Sequence, residues 1–233
     1  ARRFMLIEHF RCHPEIVGYI NEAFYGRRLQ ALTDQERLKV PKGMPPGLHW
    51  TDIRGGVVSR ARSANVSGSA ASPAEADAVV AEVRKLAEAG FEGTIGVVSF
   101  FDYQAKEITA RLNRAVPQAA RDRHRIKVFT ANKFQGDERD VMLLSLCMGP
   151  DMPAGALGFI RREKRLLNVA VSRARAVCHI VGDLGYAESS GVPHVETLAR
   201  RVKRARHRPD DERGEDDRFD SVWERRFYEA LRD

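Results

Sequence analysis

Four short apolar-rich runs, at residues 94–99, 126–130, 141–146 and 177–181, are each about one strand long, and segments of helical periodicity lie between them. Strands that are apolar on both faces have to be covered on both faces, which is the condition of a mostly parallel sheet with helices on each side. An α/β fold is therefore predicted. Helices are expected over 14–29, where Ile16, Val17, Ile20, Ala23 and Phe24 recur at helical spacing, and from Pro73, where Ala76, Val79, Val80, Val83, Leu86 and Ala87 make one stripe before Gly90. Two more are expected over 103–112 and 161–175. Residues 41–74 shift to Pro, Gly and Ser and read as loop around one strand at 49–53, the length of an insertion or a binding loop.

The chain has 233 residues, enough for one large domain with an appendage. No run approaches the roughly 18 apolar residues of a membrane span. Lys and Arg number 39 against 32 Asp and Glu, a net charge of +7 that suits a polyanionic partner such as nucleic acid. Cys12, Cys147 and Cys178 lack the close spacing of a zinc site or a disulfide framework, so a reducing, cytoplasmic setting is expected. Cys12-His13 and Cys178-His179 are not read as metal ligands. The start lacks a signal sequence and an initiator Met, as an excised fragment would. Beyond residue 183 the strand pattern stops, a basic run at 200–208 meets an acidic block at 210–217, and Phe219, Val222, Trp223, Phe227 and Leu231 form an amphipathic close. The expected division is a domain over 1–198, a charged linker over 199–217, and a first helix of a truncated domain over 218–233.

Neither a phosphate loop of the form G-x-x-x-x-G-K-[ST] nor a strand-ending pair of acids is present, so this chain alone is not expected to hydrolyse a nucleotide. Arginine placement is more informative. On a helical wheel over 161–175, Arg173 falls within the apolar arc of Leu166, Leu167, Val169, Ala170, Val171 and Ala174, with Arg165 at its edge. A guanidinium there either meets an anion or turns outward to cap the last carbonyls.

Four blocks, in order, decide between those readings. Leu6-Ile7-Glu8-His9-Phe10-Arg11-Cys12-His13-Pro14 resembles the QYRxHP block of superfamily I helicases, and Gly96-Val97-Val98-Ser99-Phe100-Phe101-Asp102-Tyr103-Gln104 resembles their GVITPYxxQ block. Thr130 to Asp140 resembles motif V, and Arg165 to Arg175 resembles motif VI. The chain is similar to the group containing the nonsense-mediated-decay helicase, in which these blocks form the second RecA-like motor domain.

That resemblance implies a role for each position. Phe10 would stack on adenine, Arg11 would reach the γ-phosphate, Glu138 would accept from the ribose hydroxyls, and Gln135-Gly136 would form the turn beside the phosphates. Arg173 becomes an arginine finger with Arg165 as a second cation. Ser99, Phe100, Gln104 and Thr130 would contact single-stranded nucleic acid, DNA in preference to RNA. ATP and Mg2+ would be shared with a first motor domain of the same polypeptide, the whole acting as a monomer that moves 5′ to 3′. His9, Asn132 and Ser172 depart from the usual Gln, Asp or Ser, and Thr without changing polarity. Residues 218–233 resemble the opening helix of a very-short-patch-repair-type nuclease domain, with Glu224 at its helix carboxylate and the other metal carboxylates lacking. A competing expectation is a non-catalytic nucleic-acid-binding or partner-docking module that relies on the 200–208 basic run.

Overall fold

A computed structural model describes residues 7–54, 59–60, 70–131 and 137–206. Five strands form a wholly parallel sheet in the order β3 (Gly47–Asp52), β9 (Ala174–Gly182), β8 (Arg139–Ser145), β6 (Ile95–Ser99), β7 (Lys127–Thr130). Every residue of β6 and β8 is buried. This is why those runs are continuously apolar rather than alternating. Successive side chains still point to opposite faces. Val97, Leu143, Val177 and Val181 pack under α2 (Pro73–Glu88) and α3 (Asp102–Ala115). Val98, Met142, Leu144, Cys178 and Ile180 pack under α1 (Pro14–Ile20), α5 (Ala154–Arg162), α6 (Lys164–Val171) and α8 (Pro193–Arg206). The α/β architecture with helices on both faces is as the apolar runs predict.

Local signals set the helix boundaries. Ser72 caps α2 by accepting from the Glu75 amide at 3.2 Å, with Pro73 in the first turn, and Ala76, Val79, Val83 and Leu86 are buried. The helix expected over 14–29 is shorter: α1 ends at Ile20 and a π-helical turn, Asn21–Tyr25, follows. Gly26 and Arg27 both have φ of 60°, so the chain leaves the helix in the left-handed region that glycine tolerates best.

The expected helix over 161–175 divides into three pieces. Glu163 separates α5 from α6, Ser172 and Arg173 form a turn, and β9 already begins at Ala174. The apolar arc misleads the wheel because a helix's last buried face runs directly into a strand's first buried residues. What selects the strand is ladder pairing: Ala174 lies opposite Arg139, and the Arg139 amide donates to the Arg173 carbonyl at 3.1 Å. The basic run also starts differently from a solvated linker. Its residues 200–206 lie within α8, where Ala199 and Val202 are buried against the domain and Arg201 pairs with Glu22 at 3.3 Å. Residues 207–233, with the acidic block, Glu224 and the amphipathic close, lie outside the described residues. Among the described residues no helix is long and apolar enough to cross a membrane.

Candidate functional site

The charged candidates meet at the edge of the sheet where β8 and β9 begin. Residues 8–13 are fastened there by three bonds. The His13 amide donates to the Arg175 carbonyl at 2.7 Å, the Cys12 thiol to the Ser172 carbonyl at 3.3 Å, and the Thr33 hydroxyl to the Cys12 carbonyl at 2.6 Å. A two-strand parallel ribbon, β1 (Glu8–His9) on β2 (Gln30–Ala31), supports the same segment. So fastened, Arg11 presents Nε to Glu138 Oε1 at 2.5 Å, with the two side chains 40% and 32% exposed. Its sequence neighbours Glu8 and Glu15 are not the partner in this pair. Phe10 is 63% exposed, an open ring beside Arg11 rather than a core residue.

Electrostatics reports the same convergence. Burial pushes the Cys12 thiol up to about 12, while Arg11 opposes the shift, Glu138 adds to it, and Arg173 and Arg175 oppose it. Burial and then Arg11 hold His9 below the ordinary histidine range against Glu138, so the ring is neutral at pH 7. Arg175 has a second neighbour in Asp140 at 3.9 Å, whose carboxylate accepts from the Thr94 amide and hydroxyl at 2.8 Å each. Arg11, Glu138, Arg173 and Arg175 thus all lie near Cys12, Arg11 paired with Glu138 and Arg175 near Asp140, in a place where an anion with several oxygens would find donors. Arg173 occupies the turn rather than a helix face. Arg165 is exposed in the first turn of α6, separated from the turn by about 9 Å of helix at 1.5 Å per residue. Gln135 and Gly136 lie outside the described residues.

At the opposite end of the strands the polar candidates are enclosed. Ser99 and Thr130 are paired across β6 and β7 and are both buried. Gln104 is 0% exposed: its Oε1 accepts from the Ser72 amide at 2.9 Å, and its Nε2 donates to the Ser72 carbonyl and to Ser145 Oγ, both at 3.0 Å. Phe100 packs edge-on to Phe101, and neither ring offers an open face. The expectation that Phe100 and Gln104 present themselves to bases and phosphates does not match this packing: Phe100, just past the end of β6, is buried, and Gln104, in the first turn of α3, turns inward to Ser72 and Ser145. Sequence reasoning missed Glu75. Its buried carboxylate accepts from Ser145 Oγ at 2.7 Å and from the Cys147 amide at 2.9 Å, and burial raises it to about 7. Ser72-x-x-Glu75 has the spacing of a capping box, the signal that could have exposed it. No group of three or more His, Cys, Asp or Glu side chains among the described residues could hold a metal ion.

Residues 1–185 match the AAA domain family. Similar proteins include the 5′-3′ DNA helicase ZGRF1 of Mus musculus, 30% identical over 182 residues that are 77% of this chain and 9% of that protein. A DNA polymerase alpha-associated DNA helicase A of Saccharomyces cerevisiae is 26% identical over 70% of this chain and 22% of its own length. The Regulator of nonsense transcripts 1 homolog of Neurospora crassa is 26% identical over 75% of this chain and 16% of its own length. The chain thus spans less than a quarter of each of these relatives. With most of its residues inside the family match, it belongs to the AAA domain family, among the superfamily I helicases of the nonsense-mediated-decay-helicase-like group.

Proposed function

We propose that this chain is the second motor domain of an ATP-dependent superfamily I helicase and closes on ATP held by a first motor domain. The observation that carries the proposal is the convergence of Arg11, Glu138 and the Arg173 turn, from three distant segments, on one sheet edge. Phe10 offers its open face to the adenine, and Glu138 accepts from the ribose hydroxyls. Arg11 and Glu138 neutralise each other in the pair they form. An incoming γ-phosphate competes for Arg11 and releases the Glu138 carboxylate toward the sugar. Arg173, with Arg165 as a more distant cation, stabilises the negative charge spread over the transferring phosphoryl group. Gln135-Gly136 supply the neighbouring turn. The described residues do not fit a magnesium site, so the Mg2+ that accompanies ATP is assigned to the first motor domain, and no step here runs through it.

Single-stranded nucleic acid, DNA in preference to RNA, is assigned to the other end of the sheet, near Ser99 and Thr130. Because Phe100 and Gln104 are enclosed, that grip relies on backbone groups at the strand ends and not on base stacking by Phe100. A 5′-to-3′ direction is supported by the likeness to the 5′-3′ DNA helicase ZGRF1. In the complete polypeptide, Arg173→Ala is expected to lower kcat by about 10³-fold or more with a smaller change in ATP affinity. A near-normal kcat overturns the finger assignment. The 233-residue chain alone is expected to show negligible ATP turnover.

A further inference from the structure

Arg139 opens β8 with its side chain 4% exposed, an environment that penalises a guanidinium unless its donors are satisfied. They are satisfied within the domain. Nε donates to the Arg125 carbonyl at 3.3 Å, Nη1 to the Glu138 carbonyl at 2.7 Å, and Nη1 and Nη2 clasp the two carboxylate oxygens of Asp137, Nη2 at 2.9 Å. This fork geometry is one that lysine lacks. Lys127 holds Asp137 from the far side at 3.6 Å. Hydrogen bonding from Arg139 keeps the Asp137 carboxyl below its ordinary range, so the clasp stays charged at neutral pH. The stem is guided as well: a Cβ at Gly96 would come within 2.8 Å of Arg139 Cγ, so glycine in β6 leaves the lane in which the stem lies.

We infer that Arg139 is the positioning residue of the charged edge, holding Glu138 in line with Arg11 through its guanidinium and holding the Arg173 turn through its amide. It fixes the backbone of Glu138 by that residue's own carbonyl, and the backbone of Arg173 by the 3.1 Å amide bond. The inference rests on the nucleotide reading above for what is positioned, though not for the positioning itself. A misplacement of about 1 Å in such groups can cost about 10²-fold in rate.

The test uses the complete polypeptide and four variants: Arg139→Lys, which keeps the charge and loses the fork; Asp137→Asn, a half-exposed change that loosens the clasp without unfolding pressure; Glu138→Ala; and Arg139→Lys with Glu138→Ala. Amide hydrogen exchange is followed over 137–140 and 172–175, with 195–202 of α8 as the internal control, and ATP affinity is measured by competition with a fluorescent ATP analogue. Arg139→Lys is expected to speed exchange at both segments and not in the control, and to weaken ATP about tenfold. Asp137→Asn should do the same to a smaller degree, and it decides the matter if Arg139→Lys fails to fold. The affinity loss should vanish when Glu138 is already Ala, which a general loss of stability would not produce. Unchanged exchange at 137–140 and 172–175, or a full additional loss on top of Glu138→Ala, overturns the inference. Should Glu138→Ala leave ATP affinity intact, the nucleotide reading of Glu138 fails, and exchange alone then decides whether Arg139 positions the edge.

Discussion

The two ends of one parallel sheet handle polar groups in opposite ways. Where β8 and β9 begin, charged side chains from residues 11, 138 and 173 stand partly exposed at the surface, with Arg139 and Asp140 buried and hydrogen-bonded beneath them. Where β6 and β8 end, Gln104, Ser145 and Glu75 are buried and linked in series by hydrogen bonds, and Ser99, buried beside them, accepts from the Phe101 amide. In open α/β sheets ligands generally bind outside the carboxyl ends of the strands, at the point where the strand order reverses. Here that point is the β6–β8 pair, since the chain leaves β6 toward β7 and β8 toward β9. The protein has filled it with a polar lock and placed its partly exposed ion pair at the opposite end. A polar group near a strand end is therefore informative only together with what it already bonds.

Variants at each end test this contrast. The largest effect is the kcat loss from Arg173→Ala, expected with little change in melting temperature. Next is a pH effect confined to the enclosed end. Burial raises the Glu75 carboxyl to about 7 from an ordinary value of 4.5, so the folded state keeps a proton that the unfolded chain releases in between. Stability contributed by this group is therefore present below about pH 4.5 and falls as pH rises to about 7, by up to about 3 kcal/mol. Glu75→Gln should remove that decline from a comparison of urea unfolding at pH 4.5 and 7.5; an unchanged difference between the two pH values would refute the assignment. Gln104→Ala follows, at about 1–3 kcal/mol of destabilisation, because it strands Ser72 and Ser145 partners out of reach of water. Smallest is Arg11→Ala, which breaks a half-exposed ion pair and should change unfolding free energy by less than about 1 kcal/mol. If Arg11→Ala destabilised the fold more than Gln104→Ala, the contrast between the ends would collapse.

The sheet was legible in the sequence because burial on both faces leaves an unmistakable run, as in Val141 to Leu144. The helical stripe from Ala76 to Leu86 was legible for the same reason. Arg11, Glu138 and Arg173 stood out by the blocks that contain them, but their meeting could not be read, since it depends on pairings between segments far apart in the chain. Arg173 was placed on a helix because periodicity is blind to where a helix yields to a strand. Gln104 and Phe100 read as ligand-facing because a family block gives each position's role and not which way its side chain turns in this fold. Arg139 and Glu75 escaped notice because a charged residue in a sequence looks solvated until its partners are known.

The bond between the Cys12 thiol and the Ser172 carbonyl joins residues 160 positions apart. Contacts of such separation form only after the entropy of closing a long loop has been met, and so they come late in folding. The charged edge is consequently the last part of the domain to be assembled: residues 8–13 have no seat until β9 has joined β8. A chain halted before that strand would hold α2, α3 and β6 to β8 but none of the Arg11–Glu138 geometry, so folding intermediates should be silent toward nucleotide however much of their sheet is formed.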